Sequence, residues 1–341
     1  MVNMNILNKA KERDLTLDVL KGVGIIAVVI GHLTLSGRQF IYSFHMPLFF
    51  IISGFLFSVK PSNKSLLSDF KRLIIPYLIT CGIIVLAYVL YGMYSHKPLW
   101  QRWLIASVWG SGAIHTAPYF GSLPHIGAIW FLLALFWCKS LFLILVSKIN
   151  SIVVLGAMCL IISLISGGVD AYFISLPFAI LPGFSAIIFY YAGYSIKYFG
   201  LFKRIKMKEV IFLILIWVTA TFVPDRPLGM VSCDYPLYPL SVCGGIAGTI
   251  VIYYVLKKIE AKGWFSMLFR LLCWLGECSL VILCLHLIDL DLPIRANLGI
   301  NKAIYAIVFD LTFCILGGIL ISWIPFLRNI FKIKKVCLNY R

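Results

Sequence analysis

The chain has 341 residues, 61% of them hydrophobic and only 13% charged, with a mean hydropathy of +0.97. A soluble globular chain carries about 25% charged and about 45–50% apolar residues, and one water-soluble core cannot hide this much apolar surface, so a soluble enzyme is excluded. The net charge of +17, from 30 Lys and Arg against 13 Asp and Glu, reads as the basic bias of cytoplasmic membrane loops rather than as a nucleic-acid surface.

The N-terminal Lys9, Lys11 and Arg13, followed by an apolar run from Val19, look like a secretory leader. No small-residue cleavage site follows, and nine more apolar windows do, so the run reads as an uncleaved first helix. The ten windows are 17–35, 40–59, 73–93, 127–147, 150–167, 173–194, 209–224, 238–256, 271–290 and 303–325. At about 20 residues per crossing they use about 200 residues. The seventh is short, and the fourth and fifth can form a tight hairpin. The longest stretch between windows, 94–126, holds Trp100, Trp103, Trp109 and Tyr119 and suits an interfacial or re-entrant segment.

Charge placement tests the count. With the N-terminus inside, 22 cations fall in inside segments and six outside (Arg38, Lys97, Arg102, Arg226, Arg295 and Lys302), with only Lys21 and Lys139 inside windows. One window more or fewer would invert the bias of every later loop. The expected fold is an all-α polytopic membrane protein, about ten transmembrane helices in one bundle. Residues 1–341 form a single domain with both termini cytoplasmic and no separate soluble domain. Eight of the ten cysteines lie in apolar runs and no CxxC pair occurs; they read as packing residues, and no metal site is expected.

Ionisable groups inside spans are costly and mark functional sites by default. They are Asp18, Lys21 and His32 in the first window, His45 in the second, Lys139 in the fourth, Glu277 and His286 in the ninth, and Asp310 in the tenth. Asp18, Lys21 and His32 lie 3, 11 and 14 positions apart, near whole helical turns, so they share one face, with Lys21 and His32 about 16 Å apart along the axis. The turn near Gly37–Arg38 brings His45 back to the depth of His32. A lone histidine is more often a hydrogen-bonding bridge between helices; two at one depth, above an Asp and a Lys, favour a reaction site. Lys71 and Arg72 open the third window. They are either lipid-headgroup anchors or a cytoplasmic site for an anionic donor's phosphates. Lys139 either sits in a polar pocket or snorkels. Glu277 and Asp310 read as structural partners, and Trp130 as part of an aromatic belt or of an acceptor path.

The stretch from Arg13-Asp14 through Asp18 and Lys21-Gly22, then Gly31-His32, Phe44-His45-Met46-Pro47 and Ser53-Gly54-Phe55, resembles the acyltransferase-3 family. The likeness continues with Arg72-Leu73, Pro76-Tyr77, Trp130-Phe131-Leu132 and Leu275-Gly276…Ser279-Leu280…His286. It implies a plasma-membrane O-acyltransferase (for a bacterial cell, the inner membrane) that takes an acyl group, most commonly acetyl, from acyl-CoA and modifies a cell-surface or lipid-linked saccharide. By the resemblance, the family's motif residues fall on Lys21, His32, His45 and Arg72, so His32 and His45 are catalytic and Lys21 and Arg72 bind the donor; Lys71 and Asp18 join the donor-binding candidates by their positions beside these. Ser53, Trp130, Glu277 and His286 are acceptor-site or structural candidates. Acetyl-CoA is then a co-substrate rather than a bound cofactor, and the partners are acyl-CoA, the saccharide and membrane lipids, without nucleic acid. Asp69 stands where the family often has a second arginine. Bundle-only transfer is expected, since no hydrolase-like domain follows. A transporter or flippase is the alternative; no half-to-half repeat supports it.

Overall fold

The computed structural model describes residues 14–333, apart from 59–61, 97–99, 111, 113–115, 118–120, 123–124, 173–175, 264–265, 293–294, 296–297 and 301. The cations Lys9, Lys11 and Arg13, and also Tyr119, therefore lie outside the described residues. The helices are α1 Leu15–Leu33, α2 Arg38–Tyr42, α3 His45–Phe55, α4 Ser62–Asp69, α5 Ile75–Ser95 and α6 Trp100–Trp109. They continue as α7 Trp130–Lys148, α8 Ile152–Tyr172, α9 Ile180–Ser185, α10 Ile187–Tyr198, α11 Leu201–Arg204 and α12 Met207–Phe222. The last five are α13 Leu240–Ala261, α14 Ser266–Glu277, α15 Ser279–Asp291, α16 Ala303–Trp323 and α17 Pro325–Phe331. Among the described residues the only ladder is a two-residue pair, Thr116–Ala117 with Gly121–Ser122.

Six helices are long and apolar enough to cross a membrane, or eight if two bent pairs each count as one crossing. The bent pairs are α9 with α10, at 48°, and α14 with α15, at 74°. The expected ten crossings are thus not reached by length and composition. The second window holds α2 and the 11-residue α3, and the seventh the 16-residue α12. At about 1.5 Å per residue neither α3 nor α12 covers the ~30 Å of a hydrocarbon core. The break before α3 has a local cause: Pro47 has no N–H for the Ser43 carbonyl. Ser43 is instead gripped by Trp217 of α12, whose Nε1 donates to its hydroxyl at 2.8 Å.

α1 sits in the middle of the bundle, packed on α14, α3, α13, α15 and α16. Its apolar residues Val19, Val28 and Val29 are buried, so they meet protein rather than lipid. Glycines let the backbones close in, as expected for helix pairs in lipid. A Cβ on Gly22 would lie 2.0 Å from the Leu272 carbonyl oxygen, and one on Gly276 1.8 Å from that of Asp18. The N-terminal end of α1 is capped by Asp14, which accepts from the Thr16 N–H at 3.1 Å and from the Tyr253 hydroxyl at 2.8 Å. That fixes the register of α1 and with it the depth of Lys21 and His32.

Between α4 and α5, residues Phe70–Ile74 form a π-helical turn in which the Ile75 N–H reaches back to Phe70. Pro76 cannot donate to the Arg72 carbonyl, and its ring crowds it. Such widened turns are frequent at functional sites.

Candidate active site

A cavity of about 570 Å³ runs into the bundle between α1, α3, the π-turn, α7 and α15. Its polar part is lined by Lys21, Ser53, Asp69, Arg72, Lys139 and Ser279, and its apolar part by residues such as Val28, Met46, Phe49, Phe131 and Leu283. Lys21 is held by Asp18 at 3.0 Å on the same helix. Asp18 thus acts on Lys21 rather than on the wall itself. Lys139 forms an ion pair with Asp69, so it occupies a polar pocket and does not snorkel. A charge this deep is tolerated only when paired, and α7 supplies the cation that Asp69 needs. Lys71 and Arg72 are both exposed, but only Arg72 lies on the cavity wall. Of the residues expected to bind the donor, Lys21 and Arg72 line this cavity and Lys71 and Asp18 do not, while Asp69 and Lys139 line it as well.

The apolar lining lies on the same helices as a layer of three imidazoles, none of which lines the cavity itself. Val28 and Leu283 precede His32 and His286 by about one turn, and Met46 follows His45 directly. The His32 and His286 rings meet edge to face, 5.4 Å between centroids, and Tyr42 lies 4.8 Å from His45 and 6.5 Å from His32 on the same measure. His45 and His286 are buried, and His32 is partly so.

Hydrogen bonding assigns the same tautomer to all three. His32 Nδ1 pairs with the Val28 carbonyl at 2.7 Å and His45 Nδ1 with the Ile41 carbonyl at 2.8 Å. A carbonyl oxygen only accepts, so each Nδ1 carries the hydrogen and each neutral ring keeps its Nε2 lone pair. His286 Nδ1 pairs with Asp310 of α16, and both side chains are fully buried. Asp310 also accepts from the Cys314 thiol at 3.5 Å. The layer therefore presents lone pairs and is built to accept protons.

Residues 14–327 match the acyltransferase 3 family, described as an acyltransferase domain. The chain belongs to the acyltransferase-3 family. It is also similar to a nodulation protein, NolL, of Sinorhizobium fredii (strain NBRC 101917 / NGR234), 40% identical over 92 residues. That match covers 22% of this chain and 25% of the relative, so the chain spans about a quarter of the length of that protein. No solved structure matches.

Within this acyltransferase-3 bundle the sequence-expected residues separate into two groups along α1. Lys21, Ser53 and Arg72 line the cavity, whereas His32, His45 and His286 form a separate layer that does not line it. Glu277 joins neither group. Its carboxylate lies with Asp18 and Cys273, within 4.8 Å of one another, at the α1–α14 contact. Trp130 is buried outside the cavity lining, with its ring where a Cβ on Gly112 would fall. Tyr42 and the Asp310–His286 pairing were not anticipated. Position could have suggested the pairing, because His286 lies late in the ninth apolar window and Asp310 early in the tenth, which follows it directly.

Proposed function

We propose that the protein is an O-acyltransferase, most simply an O-acetyltransferase, that carries an acyl group from cytoplasmic acyl-CoA to a hydroxyl of a cell-surface or lipid-linked saccharide. The observation that carries this reading is a cavity with Lys21 and Arg72 at its polar part, whose apolar lining follows α1, α3 and α15, the helices that bear three imidazoles bonded through Nδ1. Arg72 contacts the nucleotide phosphates, for which a guanidinium fork is suited. The pantetheine arm lies along the apolar part, and the thioester reaches the layer. His32 Nε2 takes the proton of the acceptor hydroxyl, a role suited to neutral histidine near pH 7. The oxygen attacks the thioester carbonyl, the C–S bond breaks, and coenzyme A leaves. His45, whose Nε2 is likewise an acceptor, orients that hydroxyl; its tautomer does not suit polarising the carbonyl. No permanently bound cofactor enters.

The membrane arrangement belongs to the same proposal. The chain crosses ten times in one domain, with both termini cytoplasmic, and α2–α3 and α12 complete the count. It resides in the plasma membrane, the inner membrane in a bacterium. The partition of 22 inside cations against six outside supports it.

The test is incubation of the purified protein with radiolabelled acetyl-CoA and candidate glycans. Alkali-labile label in the glycan is expected. Movement of a glycan without modification would contradict the enzyme and favour a transporter.

A further inference from the structure

The three imidazoles of the layer differ in one respect. His32 and His45 rest on neutral carbonyl groups, whereas His286 rests on the carboxylate of Asp310. An imidazolium formed at His32 or His45 would have no anion bonded to its Nδ1, and an uncompensated charge away from water is costly. At His286 the buried carboxylate compensates it directly. Asp310 has both oxygens engaged, one by His286 and one by the Cys314 thiol, as an ionised acceptor-only group would. His286 Nε2 is closed from solvent and has no hydrogen-bond partner, in a ring that meets His32 edge to face.

We infer that His286 is the proton store of the site and that Asp310 is the positioning residue that makes it one. This rests on the transferase reading above. His32 Nε2 takes the hydroxyl proton of the acceptor as the acyl C–O bond forms. The same proton passes to His286 Nε2, and the imidazolium is held by Asp310. The acyl C–S bond breaks with its electron pair on sulfur, and the stored proton finally goes to the thiolate, which leaves as coenzyme A thiol. Proton and electrons balance without a further reactant. The groups around His286 are His32 on α1, Asp310 and, bonded to it, Cys314 on α16, and Asp289, itself paired with Arg295, on α15. Arg38 and His125 act on His32.

Asp310→Asn keeps the shape and removes the charge. Turnover should fall about a hundredfold or more, within the range that positioned acid–base groups supply, with KM for acyl-CoA unchanged. The acidic limb of the pH–turnover profile should move to lower pH, because loss of the anion disfavours the imidazolium, and Asp310→Glu should restore part of the rate. A second readout needs no turnover: ¹⁵N-histidine magnetic resonance of the full chain, with the His286 signal assigned from His286→Gln. Wild-type His286 should carry hydrogen on Nδ1 and a lone pair on Nε2, with its Nδ1–H resonance shifted downfield by the bond to the carboxylate, and Asp310→Asn should remove that shift. A His286 carrying hydrogen on Nε2 instead, or a resonance and pH–turnover profile unmoved by Asp310→Asn, would overturn the inference. If the resonance behaves as stated while wild type transfers no acyl group to any glycan, the proton site stands and the transferase reading falls.

Discussion

His32 is the residue on which the proposed chemistry turns, because its Nδ1–Val28 bond leaves the Nε2 lone pair free to act as a base. His32→Ala should abolish transfer in a protein that still inserts and folds; near-normal turnover would remove it from the mechanism. His45→Ala should lower turnover more than donor affinity, since its ring lies in the layer and not along the polar wall; a pure affinity defect would place it elsewhere. Arg72→Ala should weaken coenzyme A binding by about 1.5–3 kcal/mol, the scale of a charged hydrogen bond, or about tenfold to over a hundredfold. The loss should shrink at high salt. Arg226→Ala is the control, since that arginine is exposed and already held by Asp234 at 2.8 Å. Calorimetry in detergent at two salt concentrations reads both, and a normal Arg72→Ala beside a defective Arg226→Ala would reverse the assigned donor face. At this scale much was legible. Lys21 and His32 share a face by spacing alone, and the Gly37–Arg38 turn sets His45 at equal depth. Lys139 with Asp69, and Asp310 with His286, were harder, because partners on different spans are joined only by depth and by the cost of an unpaired buried charge.

The elements decide where those side chains point, and their breaks were the least legible part of the chain. Hydropathy reads 40–59 and 271–290 as single apolar windows, yet the first breaks around Ser43–Phe44 and the second bends by 74° at Cys278. Apolar content is blind to a missing N–H. Pro47 and Pro76 are the visible signals, and each acts on the carbonyl four residues earlier. The turn at Phe70–Ile74 bears on Arg72 most directly. Pro76→Ala should let this turn relax to ordinary i→i−4 bonding, and one residue of register turns a side chain by about 100° around the axis. Arg72 would then leave the cavity wall, and coenzyme A affinity should fall several-fold while His32 and His45 stay in place. A folded Pro76→Ala protein that binds coenzyme A as wild type does would sink the link between the π-turn and the donor site.

At the level of the whole molecule, α1 joins a polar cavity wall to a layer of imidazoles through the middle of an otherwise apolar bundle. The membrane class and the all-helical fold were legible because composition alone forbids a soluble core. The number of crossings was less so, since α3 and α12 are too short to be counted by length. Sidedness is the claim that binds these parts together: donor from the cytoplasm, acceptor from the far side, and His32 between. It is tested most directly by acyl transfer in sealed vesicles of the two opposite orientations, with radiolabelled acetyl-CoA added only to the external medium and the saccharide present on both sides. Label should enter the saccharide when the cytoplasmic face is outward, and should not do so in right-side-out vesicles or with His32→Ala. Transfer only in right-side-out vesicles, or undiminished transfer by a folded His32→Ala protein, would contradict it.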